Sequence, residues 1–483
     1  MKLTIGWLAF GLQNDIKQFL LVAATTLSIV IPQITQAGWI RIYGGAYRDW
    51  GNCVRETRDG GYIVTGFTAS FGSGNIEDIW LIKTDAEGEI LWTKTFGGGG
   101  REFGYCVQPT VDGGYIITGI TESFGGAWLI KTDAQGDTVW TRVYDLATGN
   151  WVQQTTDSGY IITGRRRAQP GVPWDVWLLK VDADGNNQWS RRYGGEMWDE
   201  GYCVEQTEDK GYIITGMTDS YGAGSADIWL LKTDSIGDTL WTRMYGYNAF
   251  EWSYSLWITS DSGYAIIGCN TPEPGPGWQK NDVWLLKTDA QGDTQWTRSY
   301  GTRELIDQGI SIQQTSDGGY IIAGIRDATG PGTARIWLIK TDAQGDTIWT
   351  KTFGATTGDN EGASVRQTSD GGYIITGHIL DDLCLIKTDS LGNADISEEP
   401  DITTVKNRII LSSIGPRIVI RFENCPEGFH GSIFDILGRR VDELHFGKSQ
   451  GKIIWGDNHQ SGIYFLRLQT GEHKQSEKII LLN

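Results

Sequence analysis

The chain has 483 residues, 39% of them hydrophobic, so it can bury a large core. A formal net charge of -18 excludes nucleic acid and anionic lipid as partners, because either would be repelled over most of the surface. The acidity keeps the protein soluble and selects no reaction.

At the N-terminus, Phe19 to Ile31 is an apolar run preceded by Lys17 and followed by Thr35-Gln36-Ala37, a small-residue cleavage pattern ahead of Gly38. This is the order of a secretory signal peptide, and the run is too short to span a bilayer comfortably. Residues 1–37 are expected to leave the fold. The stretch before Lys17 is long for such a signal, which suggests a start codon downstream of Met1.

A phrase then recurs seven times, its tyrosine standing at Tyr62, Tyr115, Tyr160, Tyr212, Tyr264, Tyr320 and Tyr373, a period of about 50 residues that marks a propeller or another repeat array. Each copy breaks into four runs, of the types GYCVQPT, GYIITG, DIWLIKTD and DTLWTRMYG, rich in Ile, Thr, Tyr and Trp and separated by Asp-Gly or Gly-Gly. They read as four antiparallel strands, a to d. The joint between c and d is TDAxGD; in copy two, Asp133 and Gly136 bracket a tight turn whose glycine supplies a positive φ. Two tryptophans flank that joint at a constant spacing, as Trp80 and Trp92 or Trp128 and Trp140 do, which fixes the hairpin register. Strand c is apolar on both sides, so it must be covered on both faces.

The ends of the array specify closure. Copy seven has strands a to c, but Ile396 stands where its second tryptophan should be, and Trp39 to Gly44 is an orphan strand d. Trp39 precedes Tyr62 by the same interval that separates Trp92 from Tyr115. The expected fold is all-β: residues 38–396 form a seven-bladed β-propeller closed by the N-terminal strand. Cys53, Cys106 and Cys203 share one strand-a slot with Trp151, Ser255, Ser311 and Ser364, which reads as an interior position and predicts buried free thiols rather than bridges. Cys269, Cys384 and Cys425 show no pairing pattern.

The phrase D-A-x-G-x-x-x-W resembles the tryptophan-docking repeat of the pyrroloquinoline-quinone-like propellers, with one residue of difference between Asp and Gly. That resemblance implies the fold; the quinone and calcium ligands of the family have no match here. Secreted bacterial proteins with GGYIITG-type repeats are more similar overall.

After a polar linker, residues 397–404, the tryptophan pairs stop and short alternating strands begin, so residues 405–483 are expected to form a small Ig-like β-sandwich. FDILGRRV, SGIYFLRLQTG and the terminal KIILLN resemble the type A C-terminal sorting domain of the type IX secretion system, through Asp435, Leu437, Gly438, Arg439, Gly462, Tyr464 and Lys478. The resemblance implies Sec export, then passage across the outer membrane with the type IX machinery as partner, delivery to the cell surface or the medium, and usually removal of the domain. No transmembrane segment is expected in the mature chain. An ordinary Ig-like adhesion domain would share the strands. Arg439, Arg440 and Lys448 read as solvated surface.

In a four-stranded blade the a–b and c–d turns lie on one face of the disc and the b–c and d–a connections on the other. The first face is uniform from copy to copy; the second varies, and specificity resides on variable loops held by a rigid frame. On the variable face Asp49, Glu102, Asp199, Glu251 and Asp307 recur four residues before the slot, with Thr148 and Asn360 in the other copies and Glu200 and Glu361 beside them. They either ring the channel mouth around a cation, for which Ca2+ is the candidate, or each caps its own d–a loop. A second acid opens strand c at Asp78, Asp175, Asp227, Asp282 and Asp382 and reads as a loop tie, while a lysine closes strand c in every copy, a surface charge worth little. Trp50, Trp174, Trp198, Trp252 and Trp278 either stack on a ligand or pack between blades, and Arg165-Arg166-Arg167 is either an anion site or a solvated loop. All five histidines lie in the last blade or beyond, which leaves His-based catalysis and His-metal sites little to build on. The expected function is a non-enzymatic exported propeller, without a resident cofactor, that binds a protein or glycan; the alternative is a glycan-acting hydrolase or lyase using mouth carboxylates. A quinone-dependent dehydrogenase is the third reading.

Overall fold

A computed structural model of the chain describes residues 38–394, apart from 73–74, 224, 248–249, 272–280, 303–304, 329–332 and 356–358, and residues 408–481, apart from 412–413, 416–417, 424–428, 448–450, 457–458 and 471–472. The signal sequence, Ile396, the linker, Trp278, Cys425 and Lys448 lie outside the described residues.

Twenty-eight strands form seven four-stranded antiparallel sheets, each in the order a-b-c-d. Blade 1 consists of Asp49–Glu56, Tyr62–Thr68, Asp78–Thr84 and Ile90–Phe96. Strands b and c of this blade are buried along their whole length, because Ile, Val, Leu and Trp on both faces are covered by the flanking blades. Strand d is only partly buried and carries the alternation of an outer edge. In blade 7 the outer strand is Trp39–Tyr43, paired with Asp382–Thr388 in the register Trp39↔Lys387 to Tyr43↔Leu383. The ring therefore closes through the N-terminal strand, as the repeat offset requires. At the same seam the Ser369 N–H and Oγ donate to the Glu56 carboxylate at 2.9 and 2.6 Å.

One device joins every pair of neighbouring blades. The glycine of the c–d turn adopts a positive φ (80° at Gly88, 79° at Gly136, 82° at Gly237), and a Cβ there would lie 2.6 to 2.8 Å from the strand-d tryptophan of the preceding blade. The same indole meets the first tyrosine of strand b edge-on or tilted, with Trp39–Tyr62 at 6.0 Å and Trp349–Tyr373 at 5.8 Å between ring centroids. Glycine is required twice over, for the backbone conformation and for the space the indole occupies. Trp39 fills this role for blade 1, so the exchanged strand supplies a dock as well as hydrogen bonds.

The lysine that ends strand c is buried in all seven blades rather than exposed. Lys83, with a side chain 4% accessible, donates to the Thr84 carbonyl at 2.8 Å and to Asp59 of the a–b turn at 2.9 Å. It ties that turn down from beneath. Burial would raise the Asp59 carboxyl, but hydrogen bonds from Thr57, Lys83 and Gly61 outweigh it and hold the group at about 2.

The five described cysteines are buried free thiols. Cys53 and Cys106 approach to 3.9 Å, well beyond a disulfide bond. Trp151, too large for the slot it shares with them, is only partly buried.

Residues 408–481 form a three-stranded sheet and a five-stranded sheet. Ile418, Ile420 and Trp455 of the first face Ile433, Tyr464, Leu466, Ile479 and Leu481 of the second, which makes a small β-sandwich. Its first hairpin, Phe429–Asp435 to Arg440–Phe446, turns on the chemistry used in the blades. Asp435 Oδ1 accepts from the Leu437 and Arg439 N–H groups at 2.9 Å and Gly438 takes φ 75°.

Candidate functional site

Asp49, Glu102, Asp199, Glu251 and Asp307 are each 0% exposed. Each carboxylate is turned back onto its own d–a loop, accepting from Gly45 N at 2.8 Å, Gly98 N at 3.1 Å, Gly195 N at 3.0 Å, Tyr247 N at 3.3 Å and Thr302 N at 3.3 Å respectively. The strand-b hydroxyls Thr68, Thr121 and Thr218 donate to Asp49, Glu102 and Asp199. Among the described residues no three of these acids come within reach of one cation. The geometry is that of loop caps, with no solvent-open ring of carboxylates at the channel mouth.

What the structure does bring together is the two recurrent acids. The backbone N–H of each strand-a acid donates to the carbonyl just ahead of the strand-c acid of the preceding blade, as in Asp199 N to Trp174 O at 2.7 Å and Glu251 N to Ala226 O at 2.9 Å. A Cβ on Gly194 would lie 2.5 Å from Asp175 Oδ1 and 2.6 Å from Asp199 Oδ2, and Gly246 sits in the same way between Asp227 and Glu251. The sequence carries the coupling. Thr148 and Asn360, the two positions without a strand-a acid, follow the two blades whose strand c opens on Gly126 and Arg335 rather than Asp. Burial raises Asp49 and Asp227 to about 6, while burial and then the Asp227 charge raise Glu251 to about 7.

On the variable face of blades 3 and 4, arginines and tryptophans interleave. The Arg165 guanidinium lies 4.9 Å from the ring centre of Trp174 and 5.1 Å from that of Trp198, and Arg167 lies 4.0 Å from Trp174. Arg165 is aimed by Glu200, which accepts from its Nη1 at 2.9 Å and from Asn150 Nδ2 at 2.9 Å. The order Trp198, Arg165, Trp174, Arg167 is a continuous cation–π ladder. The arginine run is thus not a solvated loop. Trp198 is 40% exposed and the adjacent Met197 56%, so the ladder ends at an open apolar tip.

Trp50 and Trp252, the other described aromatics of that set, pack inside the protein. Trp50 stacks on His378 with centroids 4.0 Å apart, and Trp252 is buried. Burial lowers His378 to about 4, which keeps that imidazole neutral. The ladder was not legible as such: the sequence signal was the Arg165–Arg167 run together with the Trp174 and Trp198 loops, but these belong to two blades.

Residues 417–482 match the family described as the secretion system C-terminal sorting domain. The chain is an all-β propeller protein carrying that tail, exported and delivered by the type IX system to the cell surface or the extracellular space. Among the described residues no helix is long and apolar enough to cross a membrane. The regulatory protein FlaEY of Caulobacter vibrioides is 27% identical over 183 residues, 32% of this chain and 19% of that protein, so the match spans less than a fifth of the relative. Among solved structures, PorZ of Porphyromonas gingivalis, described as a surface component of the type IX secretion system, is similar with 10% identity, covering 89% of this chain and 59% of that one at a TM-score of 0.42. The Pan2 WD40 domain of Neurospora crassa covers 72% of this chain and 97% of that one with 9% identity and a TM-score of 0.44. Neither overlap is close enough to carry a function.

Proposed function

We propose that the protein is a non-enzymatic binding or scaffold module, displayed outside the cell, that holds a protein or glycan on the variable face of its ring. The observation that carries this reading is the ladder ending at Trp198 and Met197. Arg165 is fixed between two indoles and a buried carboxylate, so a partner meets a rigid aromatic and guanidinium surface that loses little side-chain freedom on binding. Tryptophan and arginine anchors of this kind dominate binding energy at interfaces. The hydrolase reading needs two carboxylates facing one substrate, and the burial and loop capping of the strand-a acids count against it.

A glycan array and a surface-protein pull-down with the exported chain test this. Trp198→Ala is expected to weaken retention about tenfold or more, the cost of losing an anchor residue, while Glu102→Gln and Asp199→Asn leave it unchanged. Turnover of a glycan that either acid variant abolishes would put the hydrolase in place of the binding module.

A further inference from the structure

Strand a of each blade runs along the central channel, and the residue two positions past the Cys/Ser/Trp slot stands near the uniform face. In blades 3, 4 and 6 this residue accepts a hydrogen bond from strand a of the next blade. Gln153 Oε1 takes Gln206 N at 2.6 Å, Glu205 Oε2 takes Ile258 N at 3.4 Å, and Gln313 Oε1 takes Gln367 N at 2.8 Å. Blades 1 and 7 place Arg55 and Arg366 there, groups that can only donate. For Arg55 the reason is legible: the next blade has Pro109 at the donor position, with no N–H to be accepted.

The two guanidiniums, from adjacent blades, converge on one indole. Arg55 lies 5.2 Å and Arg366 5.9 Å from the ring of Trp151, and Arg366 lies 5.7 Å from that of Trp257. Trp151 belongs to blade 3 and Trp257 to blade 5, so these contacts are made across the channel. Arg366 is 8% exposed; burial, and then the like charge of Arg55, pull it down to about 10. Glu205 offers one carboxylate against two cations and is already held by Ile258. Arg55 Nη2 and Trp151 Nε1 are buried donors without an acceptor. Arg366 is buried and Arg55 keeps one buried donor without a partner, with Glu205 as a single carboxylate set against the two cations, so an anion taking the open hydrogen bonds would offset the remaining positive charge.

We propose that the uniform-face end of the channel binds an oxyanion, a carboxylate or a phosphoryl group, between Arg55, Arg366 and Trp151 Nε1. The planar guanidinium forks suit either group, and Gln153 and Gln313 stand at the same ring position as neutral neighbours. This site lies at the opposite end of the ring from the arginine–tryptophan ladder and does not depend on what the ladder binds.

Titration of the full exported chain with inorganic phosphate and, separately, with acetate at constant ionic strength reads the site by tryptophan fluorescence and calorimetry. Saturable binding of at least one anion is expected, weakened about tenfold or more in Arg55→Gln and Arg366→Gln. Which anion saturates distinguishes a phosphoryl from a carboxylate site. Glu205→Gln removes the competing negative charge and is expected to tighten binding several-fold, a gain that misfolding cannot mimic. No saturation with either anion, arginine variants that bind as the wild type does, or a Glu205→Gln variant that binds no tighter overturns the proposal.

Discussion

The two faces of the ring obey different rules. On the uniform face every blade solves the same problem with the same atoms: an a–b turn aspartate over a buried strand-c lysine, and a c–d turn glycine under a neighbour's tryptophan. On the variable face the b–c and d–a connections differ in length and content, and the side chains there form contacts that occur in one place, such as Arg165 between Trp174 and Trp198. Repetition within this chain marks geometry, and the binding surfaces proposed above fall where the repeat departs from it. The departures at Trp151, Arg55 and Arg366 extend that rule to the channel end of the uniform face itself.

The contrast can be broken most severely at the seam. Removing Trp39–Tyr43 strips blade 7 of its outer strand and blade 1 of its docked indole. A stability loss of about 5 kcal/mol or more is expected, since a buried tryptophan alone is worth about 3 to 5 kcal/mol, and propeller unfolding in urea followed by fluorescence and circular dichroism should move to lower urea concentration.

A paired substitution compares the faces directly. Gly237 has φ 82° and a Cβ there would meet the Trp189 ring at 2.8 Å, whereas Gly171, in a variable loop with φ 87°, has nothing within 4 Å. Gly237→Ala should cost about 3 kcal/mol through strain plus displacement of the indole, and Gly171→Ala about 1 kcal/mol through the backbone alone. Equal values in chemical denaturation would refute the docking account.

The smallest effect concerns pH. Asp227 and Glu251, facing each other across a blade junction, are raised to about 6 and about 7 from ordinary values of 3.8 and 4.5. The folded state therefore binds protons more tightly than the unfolded one, so this contribution is complete below about pH 4 and is lost as pH rises through 7. About 1 to 2 kcal/mol is expected after allowance for solvent screening. Stability curves measured between pH 4 and 8 should flatten in Glu251→Gln; an unchanged slope would show that the pair does not hold the proton.

Much of the frame was legible. The tyrosine period and the offset of Trp39 gave the number of blades and the way the ring closes, because backbone register and docking both repeat at fixed spacing. The shared slot of Cys53, Cys106 and Cys203 predicted buried thiols correctly. The exposure of the strand-c lysine was misjudged, because a charged residue at a strand end looks solvent-facing until the a–b turn is laid over it. The acids are a subtler case. Both strand positions were visible, but a side chain at the start of strand a can face the channel or its own loop, and that choice depends on the neighbouring blade.

The sequence by itself determined the seven-fold ring, the exchanged strand and the sorting tail, since each rests on local patterns that recur or stand in order along the chain. Only the tertiary structure decided that Asp175 meets Asp199, that Arg165 lies between two tryptophans, and that Arg55 and Arg366 share one indole. Those encounters join residues from different blades, and their partners are chosen by packing across blade junctions and the channel; of the three, the pairing of the acids alone leaves a trace in the sequence, in the joint loss of both acids at Thr148 and Asn360.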